Sequence, residues 1–195
     1  MVNTLYIHRY FVVEKEMKPK ADNTFKVTVG GAGGVGKTTL LHKYLTGDYL
    51  ASTEMTIGVQ FHTHILDYNN KKIELVLWDL GGQDKFRFFQ GNYIRGSRAA
   101  LVCFDMHRMG TLSQVRDWVS IIKENAVKNA PIILVGMKVD LVSPELLEGI
   151  KEAANHIVEA LELESFVVTS SKDGININET FTYLVEYIFW QIDNK

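Results

Sequence analysis

Residues Gly31-Ala32-Gly33-Gly34-Val35-Gly36-Lys37-Thr38 constrain the fold of this chain more than any other stretch. The apolar run 25–29 precedes them and reads as a buried strand. The segment 39–45 follows and reads as a helix with one apolar face. A strand, a glycine-rich turn and a helix in that order bring backbone N–H groups together at a helix N-terminus. Glycines let the backbone curl without Cβ clashes, and such a cradle attracts an anion. The spacing is that of G-x-x-x-x-G-K-[ST], in which Lys37 is placed to reach terminal phosphates and the Thr38 hydroxyl to bind Mg²⁺.

Downstream, strand-like and helix-like segments alternate. Residues 59–68 and 72–79 read as two strands joined by the turn Asn69-Asn70. Residues 98–105, 131–136 and 166–169 read as three more strands. Helical spacing of Leu112, Val115, Trp118, Val119 and Ile122 marks a helix within 111–129. Two further helices are expected over 144–161, with Pro144 in the first turn, and over 176–192. This alternation predicts an α/β fold, a mostly parallel central sheet with helices on both faces. Ligands of such folds bind at the carboxyl ends of the strands. Domain organisation is expected to be an N-terminal extension, 1–24, and one domain over 25–192, since 195 residues suffice for a full core.

The motifs that follow the loop all fall at strand ends. Trp78-Asp79-Leu80-Gly81-Gly82-Gln83 closes one strand with a carboxylate, a glycine pair and a glutamine. Asp79 can hold Mg²⁺, directly or through water; Gly82 can offer its N–H to a γ-phosphate, and Gln83 can orient a water. Thr56, in Met55-Thr56-Ile57-Gly58, is a candidate second Mg²⁺ ligand. Lys138-Val139-Asp140 and Thr169-Ser170-Ser171-Lys172 follow the later strands.

With these motifs the chain resembles a small GTPase of the Ras superfamily, a P-loop NTPase G domain, over about residues 25–192. Its loop is similar to Ras, Thr-Ile-Gly-Val of 56–59 and Tyr93-Ile94-Arg95-Gly96 to Rab, and residues 78–85 to Arf. The resemblance implies a switch that binds GTP and GDP with Mg²⁺ and meets effectors, an exchange factor and a GTPase-activating protein. It implies that Lys37 and the amides of Gly34, Val35, Gly36 and Lys37 hold the phosphates, with Thr39 beside them. Thr38 and Thr56 would coordinate Mg²⁺ with Asp79 behind them. Asp140 would accept hydrogen bonds from guanine's N1–H and exocyclic amine. Lys138 would lay its stem along the base, with Ser170, Ser171 and Lys172 in the same loop and Tyr49 at the base edge. Gln83, with Lys37, Thr56 and Gly82, would carry hydrolysis, and Gly33 would keep the space beside the γ-phosphate open.

One position departs from the family pattern. The residue before Lys138, usually Asn or Thr, is Met137, whose sulfur is a weak acceptor and which has no amide. Faster nucleotide release is therefore expected, with guanine selectivity kept through Asp140. Segment 47–58 has no Arg or Lys, so it supplies no arginine in cis, and slow intrinsic hydrolysis is expected. Two other readings stay open: a GTP-loaded binding scaffold that barely hydrolyses, and an ATP-dependent kinase or ATPase with a similar loop.

The remaining features exclude more than they assign. A net charge of −2 gives no reason to expect nucleic-acid binding. The one cysteine, Cys103, sits in an apolar run and forms no intrachain disulfide, so a cytoplasmic location is expected. Val2 and the C-terminal Gln191-Ile192-Asp193-Asn194-Lys195 give no lipid-anchor signal. Leu5, Tyr6, Ile7, Tyr10, Phe11, Val12 and Val13 make the extension apolar, and docking on the domain or on a partner is expected ahead of membrane association. His62 and His64 share a strand face and would be half a metal site at most.

Overall fold

A computed structural model of the chain describes residues 21–51, 55–83 and 87–194; the expected docking of the extension falls outside them. The described elements run β1 (Asn23–Gly31), α1 (Lys37–Thr46), β2 (Val59–Tyr68), β3 (Lys71–Leu80), α2 (Arg87–Ile94), β4 (Ala99–Asp105), α3 (Val115–Asn125), β5 (Ile132–Met137), α4 (Pro144–Ala160), β6 (Ser165–Val168) and α5 (Ile177–Asp193). The strands form one sheet in the order β2-β3-β1-β4-β5-β6. Every neighbouring pair is parallel except β2 with β3. The α/β architecture expected from the alternation is the one observed.

Side-chain alternation in the central strands builds two cores, one on each face of the sheet. Leu101 and Cys103 of β4 join α1 and α5 through Leu40, Leu41, Phe181, Leu184 and Val185. Ala100, Val102 and Phe104 of the same strand face α3 and α4 through Trp118, Ile122, Ile150 and Ala154. The Asn69-Asn70 turn has both residues in the left-handed region, at φ 48° and 61°, as a tight hairpin between twisted strands requires.

Two helices depart from the sequence expectation. Helix α3 starts at Val115 rather than near residue 111, because Thr111 is committed to a turn. Its hydroxyl donates to the Arg108 carbonyl at 2.8 Å and accepts from the Asp105 N–H at 2.9 Å. Helix α2 has no counterpart in the sequence reading. Gly91 in its middle looks like a breaker, yet a Cβ there would stand 2.9 Å from the Asn125 side chain of α3. That glycine leaves room for the Asn125 side chain against α2.

The topology gathers the motifs at one edge. Strands β1, β3, β4, β5 and β6 all end there, and antiparallel β2 begins there, with Val59 paired to Leu80. Gly31 closes β1 at φ 136°, and a Cβ on it would lie 2.2 Å from the Cys103 carbonyl oxygen. Only glycine turns the chain into the loop at this point.

Candidate functional site

Residues 31–36 wrap the N-terminus of α1, with Gly34 at φ 71° and Gly36 at φ 109°. The Val35 side chain is fully buried in the core, so the loop presents this residue through its backbone. Lys37 is folded back under the loop and 6% exposed. Its ammonium donates to the carbonyls of Gly31 at 2.8 Å and Ala32 at 2.9 Å. An ammonium has three protons, so one is left for a ligand. Burial pushes its pKa down, and the nearby Asp79 pulls the other way.

Three oxygens from three segments converge beside the lysine. Thr38 Oγ1 lies 2.8 Å from Thr56 Oγ1 and donates to Asp79 Oδ2 at 2.5 Å. Asp79 is completely buried, and its Oδ1 has no partner among the described residues. Burial raises its pKa; the hydrogen bond from Thr38 and the charge of Lys37 oppose the rise. A buried, half-satisfied carboxylate with two hydroxyls beside it is a hard-oxygen donor set, which fits Mg²⁺. The histidines do not fit a metal. His64 lies against Tyr44, ring centroids 4.6 Å apart, and no cluster of three or more His, Cys, Asp or Glu ligands exists among the described residues.

The segments from β2 and β3 pack directly on the loop. The Gly81 N–H donates to the Gly58 carbonyl at 2.8 Å. A Cβ on Gly82 would stand 2.4 Å from Ala32 C and Gly33 N. Among the described residues a Cβ at Gly33 would meet nothing nearer than 3.7 Å, so packing against them does not require glycine there. Gly33, Lys37, Thr38, Thr39, Thr56, Gly82 and Gln83 border a cavity of about 70 Å³. Asp84 and Lys85, which follow Gln83, fall outside the described residues.

A wider cleft of about 600 Å³ adjoins it and shares Gly34, Gly36 and Thr39. Tyr49, Lys138, Asp140, Ser171 and Lys172 line it, which brings the sequence candidates together. Lys138 adopts φ 62° and donates to the Gly34 carbonyl at 3.0 Å, tying the cleft to the loop. Asp140 Oδ1 accepts from Ser170 Oγ at 2.7 Å. Ser170 is fully buried behind Asp140 and positions it. The buried Ser171 Oγ has no partner among the described residues.

Met137 lines the wider cleft next to Gly36. It is 1% exposed, and its Cε lies 3.4 Å from where a Cβ on Gly36 would stand. Thr169 Oγ1 donates to its sulfur at 3.3 Å. Met137 thus supports the loop at Gly36 by contact alone and is itself held by one weak hydrogen bond.

Sequence reasoning missed Asp105 and Arg108. Asp105 ends β4, a strand otherwise free of charge, and lies buried. Its Oδ2 accepts from Lys138 Nζ at 2.8 Å and Arg108 Nε at 2.9 Å. Burial pushes its pKa up, but these hydrogen bonds outweigh that and hold it below the usual carboxylate value. A lone carboxylate closing an apolar strand at the ligand edge was the signal available.

Known proteins place this geometry in context. The profile of the Ras family matches residues 26–189. "GTP-binding protein ypt3" of Schizosaccharomyces pombe is 32% identical over 174 residues, 89% of this chain and 80% of its own length. "Ras-related protein Rab-3C" of Bos taurus is 34% identical over 167 residues, 86% of this chain and 72% of its own. "Ras-related protein Rab-11A" of Dictyostelium discoideum is 32% identical over 178 residues, 91% and 82% respectively.

Proposed function

On the premise that this chain belongs to the Ras family, and so is a small GTPase, a hydrolase of GTP, we propose a molecular switch in signalling or trafficking. The observation that carries it is the meeting of Thr38, Thr56 and Asp79 at one point. Thr56 precedes β2 and Asp79 ends β3, so the segments that carry them flank the β2–β3 ribbon at the same edge. A γ-phosphate and its Mg²⁺ would hold both segments, and hydrolysis would release them.

Lys37 and the amides of 34–37 bind the β- and γ-phosphates. Thr38 and Thr56 would hold Mg²⁺, with Asp79 behind them, and the ion would neutralise charge on the phosphate oxygens. Gly82 offers its N–H to the γ-phosphate while Gln83 orients the attacking water. Asp140, fixed by Ser170, accepts from guanine's N1–H and amine. Lys138 and Tyr49 flank the base, the Ser171 amide meets its carbonyl, and Lys172 lies at the mouth. The same β2–β3 ribbon, with α2 beside it, presents an aromatic patch to partners. Phe61 and Tyr93 are 67% and 41% exposed and lie 5.9 and 6.2 Å from the Trp78 ring. Such a patch beside the switch segments suits an effector. An exchange factor and a GTPase-activating protein complete the cycle. A buried free thiol at Cys103 suits the cytoplasm.

Displacement of a fluorescent GDP by GTP and by ATP, with and without Mg²⁺, tests the binding; single-turnover hydrolysis tests the switch. GTP is expected to compete, ATP to fail, and Mg²⁺ to tighten binding. Equal competition by ATP overturns the guanine assignment. Tight GTP binding without hydrolysis would favour a scaffold. Met137→Asn is expected to slow GDP release about fivefold, the equivalent of one added hydrogen bond near 1 kcal/mol. Unchanged release would show that contact alone supports the loop well enough.

A further inference from the structure

The roles above leave Arg108 unassigned, although its placement is specific. The turn after β4 is fixed by Thr111 and by the His107 N–H, which donates to Asp105 Oδ1 at 3.0 Å. With Arg108 Nε committed to Asp105, the plane of the guanidinium is set. Its Nη2 then donates to the Gly33 carbonyl at 3.3 Å. Nη2 also lies 3.4 Å from where a Cβ on Gly34 would stand. Any side chain at Gly34 would occupy that approach. The Arg108 side chain is half exposed, and Nη1 has no hydrogen-bond partner among the described residues.

We infer that Arg108 is an arginine supplied in cis to the phosphates, an inference that rests on the GTPase reading. Its tether to a buried carboxylate keeps a permanent cation beside the loop, with Nη donors to spare. In hydrolysis the water oxygen bonds to the γ-phosphorus as the bond to the β-phosphate oxygen breaks. The bonding electrons leave with GDP, and the water's proton goes to inorganic phosphate. Arg108 keeps its protons throughout and offsets the negative charge that grows on the leaving oxygen. Segment 47–58 lacks a basic residue; the turn after β4 supplies one from another direction.

The test uses the full chain with Arg108→Ala and Arg108→Lys. The readouts are single-turnover hydrolysis, GDP affinity, and affinity for GDP with aluminium fluoride, a mimic of the transferring phosphoryl group. Arg108→Ala is expected to hydrolyse GTP about a hundredfold more slowly, with GDP affinity within about threefold of wild type. The extra affinity that aluminium fluoride confers should disappear with it. Arg108→Lys keeps the charge without the fork and should recover little. Wild-type hydrolysis in either variant overturns the assignment. So does a parallel loss of rate and GDP affinity, which would make Arg108 a fastening of the loop. A wild-type protein that binds GTP but never hydrolyses it fails the switch reading itself, and the inference falls with it.

Discussion

Gly82→Ala is expected to bind GDP as the wild type does and to hydrolyse GTP about a hundredfold more slowly, the cost of losing one donor aimed at the reacting phosphate. The added Cβ would stand 2.4 Å from Ala32 C and Gly33 N and 2.5 Å from the Gly31 carbonyl oxygen. All three are backbone atoms of the phosphate loop, anchored by Lys37 beneath. They have no room to yield, so residue 82 must move away, taking its N–H from the γ-phosphate. GDP has no γ-phosphate and should not register the change. Single-turnover hydrolysis and GDP titration separate the two effects. Wild-type hydrolysis by the variant would mean that the contact between Gly82 and the loop is not part of the reacting arrangement.

Asp79→Asn is expected to abolish most of the strengthening of GTP binding by Mg²⁺, about a hundredfold in apparent metal affinity. The same change should make the nucleotide-free protein more stable at neutral pH, by about 1 kcal/mol, because it removes a buried charge with an unsatisfied oxygen. The signs oppose each other because the carboxylate is a poor fit to the empty fold and a good fit to the metal. A pH series distinguishes this from a packing effect. Burial raises the carboxyl above its ordinary value of 3.8. The folded state therefore holds the proton more tightly than the unfolded one. Its contribution is full below that ordinary value and is lost as pH rises through the raised one. Asn has no such proton, so the stability difference should widen in favour of the variant over that interval. Denaturant unfolding with chelator present measures it; a constant difference at all pH values would count against a buried ionised Asp79.

Most of the fold was legible because each strand's apolar pattern and each turn's chemistry agree. Strand β2 and the Asn69-Asn70 hairpin could be read directly, as could the core positions of α3. The misses have local causes. Gly91 disguises α2, since the room it leaves is for Asn125 on a helix remote in sequence. Thr111 withdraws a turn from α3 because its hydroxyl serves the end of β4. At the site, the loop, Asp79, Lys138 and Asp140 announce themselves by type and spacing. Asp105 and Arg108 do not, because their meaning lies in one carboxylate joining Lys138 to a turn 30 residues earlier in the chain. Such a bridge has no short-range signature.

The unbroken pairing of β2 with β3, from Val59 opposite Leu80 to Tyr68 opposite Lys71, divides the ribbon by its tolerance of evolutionary change. Its hairpin tip lies roughly 30 Å from the site at the usual rise per strand residue. Residues can be inserted there while both switch segments keep their places. A single deletion inside either strand would shift one segment against the other and turn Phe61 and Trp78 to opposite faces. Lineages of this protein should therefore vary in length at the tip and hold the ribbon constant, so that Thr56 and Asp79 are inherited as a pair.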